Sequence, residues 1–321
     1  MTETTCSLMK GRPMFQARRV DVSVAEKRLQ RLPNLAEALG ANWLAREYQT
    51  PIDHWSLITG WISLKDNGCW HWLEDLDRAL GLLKAQVSSD SWRKIVRKVR
   101  SHSDRSNSKG TLSEIATCVF LTNNSIRFEL ETRLVKDSKK DVDIRAFVYE
   151  GDPLHIEVQW LSSSDDSERG AAIASAYGEV YELDFDEEKW RIKGKIYDKT
   201  SKFTHDAITF VALNCTTSPV LGGSDRLSVI KEAVIEAYTG RNILGEEIPY
   251  ADSDVDKDIR LYADCVIWYE LDPGNGLLPI KRDFCLNPKS PHRKSISISR
   301  FVSLWNPSLE RHRNKSALNT A

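Results

Sequence analysis

The sequence predicts an α/β protein whose central part follows the order helix, three strands, helix, strand (αβββαβ), which is typical of a mixed sheet flanked by helices. Three observations lead to this prediction. Apolar residues recur at helical spacing before the polar stretch SHSDRSNSKG (101–110), which we interpret as a linker. After it, several segments alternate between apolar and polar residues, as strands do. DAITFVALNC (206–215) is almost continuously apolar, which indicates a strand buried on both faces.

The N-terminal part is predicted to be helical and rich in tryptophan. Residues 1–32 show no clear period and are expected to be loosely ordered, whereas residues 33–105 carry apolar side chains at spacings of three and four. Tryptophans at helical spacing favour a packed core, and a surface on which nucleic-acid bases stack is the alternative. Six of the ten tryptophans lie in this part: Trp43, Trp55, Trp61, Trp70, Trp72 and Trp92.

Residues 106–215 are predicted to form the sheet domain. TLSEIATCVFL (111–121) has the spacing of an amphipathic helix, and WRIKGKIYDKTSKF (190–203) is predicted as the second helix despite an internal glycine. Between them, alternation predicts three strands in SIRFELETRLV (125–135), DVDIRAFVYE (141–150) and PLHIEVQWL (153–161).

Residues 216–321 are predicted to be an α+β extension packed on the sheet domain. SDRLSVIKEAVIEAYTG (224–240) carries an apolar stripe at helical spacing, and Gly240 stands where a helix ends. LYADCVIWYELDPGNGLLPIKRDFCLNP (261–288) is typical of a β-hairpin with an Asn-Gly pair in its turn. We group this extension with the sheet domain because neither section alone contains many strands.

Composition limits the classes of function. Hydrophobic residues make up 41% and charged residues 28% of the chain, as in soluble globular proteins, and the formal net charge of -1 means that nucleic acid would have to bind a local basic patch. No apolar run approaches the roughly 18 residues of a membrane span, and the N-terminus lacks the apolar region of a secretory signal. Scattered cysteines without a CxxC pair indicate reduced thiols. We therefore expect a cytoplasmic protein without membrane contact; common nucleotide-binding, protease and hydrolase motifs are also missing.

The stretch KKDVDIRAFVYEGDPLHIEVQW (139–160) places acidic residues on the polar faces of two neighbouring strands. If these strands pair, Asp143 and Glu157 share one face with Gln159, and we expect the two carboxylates within roughly 4 to 7 Å of each other. Carboxylates held this close repel unless a proton or a divalent cation intervenes. Mg²⁺ suits two hard oxygen ligands and completes its shell with water and phosphate, and Mn²⁺ is an alternative. The ordinary alternative is a solvated acidic strand face.

A helix carrying Glu114, followed by DVDIRA, a turn and HIEVQW, resembles the PD-(D/E)XK superfamily of restriction-endonuclease-like nucleases. The superfamily motif has an Asp on one strand and Glu-x-Lys on the next, preceded by a helix that often carries a Glu. Within residues 110–215, Asp143 matches the motif Asp and Glu157 the motif Glu. The resemblance implies a restriction-endonuclease-like αβββαβ core and magnesium-dependent cleavage of phosphodiester bonds.

Two positions depart from this motif. Val142 replaces the motif proline, and Gln159 stands where the lysine is expected. The superfamily's lysine is thought to position or polarise the attacking water, and Gln can orient a water but carries no charge. The superfamily includes members with Gln at this position and members whose lysine has moved to the next helix. Lys195, Lys199 and Lys202 are the candidates for such a lysine here.

Three further residues near the motif have competing interpretations. Glu114 assists at the metal if the resemblance holds, but Thr111-Leu112-Ser113-Glu114 also fits a helix capping box. Asp141 shares the face of Asp143 and is either a substitute ligand or simply exposed. His155 is left outside the site, because an isolated histidine on a strand is more often structural or solvated.

Basic segments provide candidates for phosphate binding, with a solvated helix face as the alternative. One segment, residues 91–110, holds seven basic residues against one acid, and another follows the C-terminal hairpin at Lys289, Arg293, Lys294 and Arg300. The nucleic-acid contacts are predicted at Arg93, Lys94, Arg97, Lys98 and Lys199.

Together these patterns predict a metal-dependent endonuclease-like protein acting on nucleic acid, with DNA as the expected substrate. The predicted metal ligands are Asp143 and Glu157, Gln159 orients the water, and Glu114 is the fourth candidate catalytic residue. One alternative is a catalytically inactive nuclease-fold protein that binds nucleic acid or acts in an assembly. Another is an interaction protein whose acidic hairpin face is solvated. The oligomeric state is left open, and a homodimer is compatible with the sequence.

Overall fold

The fold is that of a computed structural model, which describes the following residues: 20–51, 55–63, 70–100, 105–133, 141–148, 152–161, 185–200, 202–204, 206–216, 223–242, 244–247, 253–271, 274 and 276–306. The chain divides into two compact units. The N-terminal unit comprises Met1–Asn123 with Leu271–Pro279, and the C-terminal unit comprises Asn124–Glu270 with Ile280–Ala321. The N-terminal unit therefore extends beyond residue 105, where the sequence predicts its boundary.

The described part of the N-terminal unit is helical, as predicted. Its apolar spacing is explained by burial, since the leucine stripe of the fifth helix, from Leu73 to Leu83, is inaccessible to solvent. Four of the six tryptophans, Trp43, Trp55, Trp61 and Trp72, are also buried. The helices are α1 (Val22–Leu29), α2 (Pro33–Leu39), α3 (Trp43–Glu47), α4 (Leu57–Ser63), α5 (Trp70–Gln86), α6 (Ser89–Arg100) and α7 (Arg105–Asn123).

Two sequence predictions in this unit are wrong for the described residues. Residues 20–32, predicted to be loosely ordered, contain α1, which buries only Ala25 and Leu29 and is too short to show a period. The predicted linker is helical from Arg105 onward, because polar residues carry no hydrophobic period that could reveal a helix. Since α7 begins before Thr111, the capping box that ends at Glu114 does not exist. Residues 1–19 and 101–104 lie outside the described part.

The C-terminal unit is built on a mixed sheet, which confirms the predicted α/β class. The described strands are hydrogen-bonded neighbours in chain order: β1 (Arg127–Arg133), β2 (Asp141–Phe147), β3 (Leu154–Trp160), β4 (Ile208–Asn214), β5 (Cys265–Leu271) and β6 (Pro279–Leu286). β1, β2 and β3 pair antiparallel, whereas β4 pairs parallel to β3 and β5 parallel to β4. Parallel neighbours need long crossover connections, and these contain α8 (Phe185–Thr200), α9 (Gly223–Thr239) and α10 (Asp254–Tyr262).

One face of the sheet carries α8, α9 and α10. The parallel register places Glu157 of β3 beside Val211 of β4, and Val211 beside Val266 of β5, so these three side chains share a face. Val211 and Val266 pack in one buried cluster with Ile192 and Ile196 of α8. Glu157 therefore points to the side of the sheet that α8 covers.

The opposite face is covered by the last described helix, α11 (Ile296–Trp305). Phe210 of β4 meets Phe301 with ring centroids 5.1 Å apart, and Tyr269 of β5 meets Trp305 at 5.5 Å, both edge-on. The sheet thus has helices on both faces, which explains why every residue of β4 is buried, as its apolar sequence predicts.

Two C-terminal predictions are also confirmed. α9 ends at Thr239, and Gly240 follows with a φ of 72°, donating its N–H to the Glu236 carbonyl over 2.8 Å. β5 and β6 are neighbours, as the predicted hairpin requires, although Asn275 of its turn lies outside the described residues. Among the helices described, none combines the length and the apolar character of a membrane span.

Candidate active site

Asp143 and Glu157 face each other at the point where β2 and β3 stop pairing through their backbones. The antiparallel register extends as far as Ile144 opposite Ile156, and the two acids occupy the next facing positions. There the backbone N–H of Asp143 donates to Oε1 of Glu157 over 3.1 Å, and the N–H of Val158 donates to Oδ2 of Asp143 over 2.9 Å. Each carboxylate thus accepts a backbone N–H of the facing strand in place of a carbonyl of its own strand, which fixes both side chains on the same side of the hairpin.

Two lysines reach both carboxylates: Lys199 in the last turn of α8 and Lys202 in the turn that follows this helix. Lys202 places Nζ 2.8 Å from Oε2 of Glu157 and 3.8 Å from Oδ1 of Asp143. Lys199 places Nζ 3.3 Å from Oε2 of Glu157 and 3.6 Å from Oδ2 of Asp143. We call these four residues the charge cluster. Among the three lysines named from the sequence, Lys199 and Lys202 make these ion pairs and Lys195 does not.

The charge cluster is largely withdrawn from solvent. The Glu157 side chain has no exposure, whereas Asp143 is 14% exposed and the two lysines are 19% and 24% exposed. Burial, and then the neighbouring charge of Asp143, raise the pKa of Glu157 from 4.5 to about 7, although the two ammonium groups oppose the shift. Ionised Glu157 therefore destabilises the folded state even beside the two ammonium groups, and a proton or a bound metal cation would offset this cost.

The oxygen atoms of this pair suit a divalent cation. Asp143 and Glu157 are hard ligands, and their oxygens already converge on positively charged nitrogen atoms within 3.8 Å. A magnesium ion held by two carboxylates keeps several waters and takes further oxygens from phosphate. Within the part of the chain that is described, no group of three or more His, Cys, Asp or Glu side chains is arranged to hold a metal.

Gln159 follows on β3, two residues beyond Glu157 and hence on the same face. Its side chain is partly buried, and its Nε2 donates to the carbonyl of Trp160 over 2.8 Å. In the parallel register it lies beside Leu213 of β4. The amide is thus held against the strand backbone next to the charge cluster.

Glu114 and the basic residues of α6 belong to the N-terminal unit. Glu114 and Lys98 form an ion pair in which both side chains are largely buried, at 16% and 18% exposure. Arg93 and Lys94 both pair with Asp90, at 3.3 and 3.2 Å, one helical turn earlier on α6. The predicted phosphate contacts of α6 therefore include residues that already have acidic partners.

His155 and Arg145 form the next facing pair along β2 and β3, on the same face as the carboxylates. His155 is 7% exposed, and its Nδ1 has no hydrogen-bond partner among the described residues. Burial, and then the charge of Arg145, lower the pKa of His155 to about 4, so the imidazole is neutral at neutral pH. Asp141 lies at the start of β2, opposite Arg133 in the β1–β2 register.

A buried ion network, missed by the sequence interpretation, holds α8 in place. Lys193 of α8, 4% exposed, lies 3.4 Å from Glu236 of α9 and 3.4 Å from Asp256 of α10, and Lys189 lies 2.9 Å from Glu236. The network ties α8 to both neighbouring helices less than two turns before Lys199. No local pattern reveals it, because a lysine within a helix is usually solvated and its partners are distant in sequence.

Comparisons with protein-family models, with curated proteins and with solved structures found no match to this chain. We therefore infer function from the geometry and chemistry of the charge cluster.

Proposed function

We propose that this protein is a metal-dependent nuclease that hydrolyses phosphodiester bonds, with DNA as its substrate. The observation that carries the proposal is the convergence of Asp143 and Glu157, with Lys199 and Lys202 at the same point. The order of the described elements from α7 to β4 supports it, since helix, three strands, helix and strand is also the order of the PD-(D/E)XK core that the motif resembles.

β2 and β3 would each supply one metal ligand. Asp143 and Glu157 would hold Mg²⁺, which when bound supplies a Lewis acid and lowers the pKa of water. The hydrogen bonds that both carboxylates accept from backbone N–H groups of the facing strand hold them in place before any ligand binds, so the ligand oxygens need little rearrangement. Gln159 would orient a water by hydrogen bonding, which requires no charge.

Lys199 and Lys202 would supply the positive charge that Gln159 lacks. Both ammonium groups lie beside the carboxylates, where a phosphate brought to the metal ligands would be. Ammonium groups in a partly dehydrated site stabilise negative charge that develops on phosphate oxygens. Lys199 of α8 and Lys202 of the following turn would thus take the part that the motif assigns to a lysine on β3.

A second candidate function is nucleic-acid binding without cleavage. It is favoured by the observation that Lys199 and Lys202 occupy cation positions at both carboxylates, which leaves the charge cluster neutral and satisfied by the protein itself. In this case the four residues would be ion pairs that stabilise the fold, and the protein would bind the phosphates of nucleic acid without cleaving them.

The test is a cleavage assay on plasmid and single-stranded DNA with Mg²⁺ or Mn²⁺. We expect the wild type to cleave and Asp143→Asn to lose at least about 100-fold in rate, because one of two metal ligands is removed. The matched control is Asp152→Asn, which changes an exposed aspartate in the connection between β2 and β3. Equal cleavage by wild type and Asp143→Asn would reject the nuclease proposal. Salt-dependent DNA binding without cleavage by any variant would favour the second function.

A further inference from the structure

A cleft beside α6 combines arginines with an accessible tryptophan. We propose that it binds one unpaired nucleotide, with the phosphate on the arginines and the base against Trp92. This inference rests on the proposed action on nucleic acid and names the form of nucleic acid that is held. The cleft has a volume of about 590 Å³, within the usual range for ligand sites, and is lined by Glu37, Ala38, Trp92, Arg93, Val96, Arg97 and Arg100.

The charge of the cleft favours an anion. Arg93, Arg97 and Arg100 recur at intervals of four and three residues, so they form one stripe on α6, and all three are exposed. The carboxylate that lines the cleft, Glu37, is paired with Lys84, whose Nζ lies 2.6 Å from Oε1. Three guanidinium groups therefore face the cleft against one compensated carboxylate, and guanidinium is well matched to phosphate.

Arg100 is held in position before a ligand binds. Its Nε donates to the carbonyl of Ala38. Its Nη2 packs close to Gly40, where the Cβ atom of any other residue would lie only 3.1 Å from it. Gly40 has a φ of 81°, which also favours glycine there. Arg93 pairs with Asp90 at 3.3 Å, but both side chains are more than half exposed, so this pair is weak and open to exchange.

Trp92 provides the apolar surface of the cleft. Four of the six N-terminal tryptophans are buried in the core, whereas Trp70 and Trp92 are partly accessible. Trp70 is covered by the guanidinium of Arg31, 5.0 Å from its ring centroid, and donates to Glu74 over 2.6 Å. Trp92 lies among the arginines of the cleft instead. An indole beside phosphate-binding groups is the arrangement on which unpaired bases stack.

The expected ligand is a nucleotide whose base is not already stacked in a duplex. Its source is either a single-stranded region of nucleic acid or a free mononucleotide, since both present a phosphate and an aromatic base. The two sources differ in the number of phosphates available to the stripe of arginines. A strand engages several of them, so its binding depends more steeply on salt than that of a mononucleotide.

The test measures binding of a short, fluorescein-labelled oligothymidylate to the full chain by anisotropy, in EDTA. We expect Trp92→Leu to weaken binding about 10-fold or more, because loss of a stacked base costs this much. Trp70→Leu is the matched control and should leave affinity unchanged. An oligonucleotide of abasic sites keeps the phosphates but lacks bases, so Trp92→Leu should not affect its binding.

Arg97→Gln should weaken binding of both oligonucleotides and reduce the slope of log affinity against log salt by about 1. Its control is Arg46→Gln, which removes an exposed arginine of α3 outside the cleft. Competition by thymidine monophosphate at equal phosphate concentration would identify the free nucleotide as the ligand, and its failure would identify a strand.

The inference is overturned if the wild type binds neither probe, or if Trp92→Leu and Arg97→Gln bind like the wild type. It is also overturned if Trp92→Leu weakens the abasic probe equally, because stacking is then not involved. Cleavage is assayed separately with Asp143→Asn. If the variants bind as expected but no variant cleaves DNA, the nucleotide-binding cleft is supported and the nuclease proposal is rejected. If the protein cleaves DNA but Trp92→Leu binds like the wild type, the nuclease proposal is supported and the cleft is rejected.

Discussion

Replacing Glu157 by Gln is expected to stabilise the metal-free protein at neutral and alkaline pH. The carboxyl of Glu157 has no exposure and a pKa of about 7, against 4.5 for an unperturbed glutamate. At about 1.4 kcal/mol per pKa unit, this difference corresponds to a cost of about 3 kcal/mol for carrying the charge in the folded state. The substitution removes the charge and therefore this cost.

The sign depends on pH. Below pH 4.5 the carboxyl is protonated in both the folded and the unfolded state, so it does not penalise folding. As the pH rises from 4.5 to about 7, the unfolded state loses its proton first, and the stability of the wild type falls. Above pH 7 the whole cost is present. The gain from Glu157→Gln should thus be about 1 to 3 kcal/mol near pH 8 and close to zero near pH 4.5. The attraction of the two lysines is already contained in this gain, because it contributes to the pKa of about 7.

The measurement is thermal unfolding by circular dichroism in EDTA at both pH values. A gain of this size corresponds to a rise in Tm of about 2 °C or more near pH 8. Glu129→Gln is the matched control, because Glu129 is a half-exposed strand glutamate of the same sheet. Millimolar Mg²⁺ should raise the Tm of the wild type but not that of Glu157→Gln, since metal stabilises only the state that binds it.

A lower Tm for Glu157→Gln near pH 8, with no shift of the wild type by Mg²⁺, would refute this reasoning. The ion pairs of Glu157 with Lys199 and Lys202 would then outweigh the cost of burying its charge. The charge cluster would be a structural element, and the second candidate function would be preferred.

Three further predictions concern the residues around the carboxylates. Lys199→Gln combined with Lys202→Gln should lower cleavage about 10-fold or more through loss of electrostatic stabilisation, and an unchanged rate would exclude both lysines from the reaction. Gln159→Lys should keep or raise cleavage and Gln159→Ala should lower it, measured in the same assay; equal rates would make Gln159 a bystander. Lys193→Met should destabilise the fold by about 3 to 5 kcal/mol in chemical denaturation, because buried Asp256 loses its lysine partner and Glu236 keeps only Lys189. The exposed control Lys257→Met should change stability by less than about 0.5 kcal/mol, and a similarly small effect of Lys193→Met would contradict the role of the network.

Local patterns were sufficient for most elements of the fold. The leucine stripe of α5 and the apolar run of β4 are visible because each places like residues at the period of its own structure. The glycine after α9 could be recognised because a helix often ends at a residue with positive φ, and glycine adopts this conformation most easily. The start of α7 could not be predicted, since its first residues are polar and offer no period, and α1 buries only two side chains.

The candidate site was predictable to the extent that it is local. Asp143 and Glu157 lie on two strands joined by a short connection, so alternation alone places them on one face once the strands pair. The replacement of backbone acceptors by their carboxylates was not predictable, because it depends on where β2 and β3 part. The cleft beside α6 was also hidden, since it needs α2 and α6 to be packed before Trp92 can be distinguished from the buried tryptophans.

The positive charge at the candidate site comes from residues that the sequence motif does not include. At the level of letters, Gln159 removes a charge from the motif. In the structure, Lys199 at the end of α8 and Lys202 in the turn after it place two positive charges beside the same carboxylates. The position of these lysines depends on the crossover between β3 and β4 and on the buried ion pairs of Lys193, and both involve residues distant in sequence from Gln159. The positive charge beside the two carboxylates is therefore set by the packing of α8 on the sheet, and Gln159 alone does not decide it.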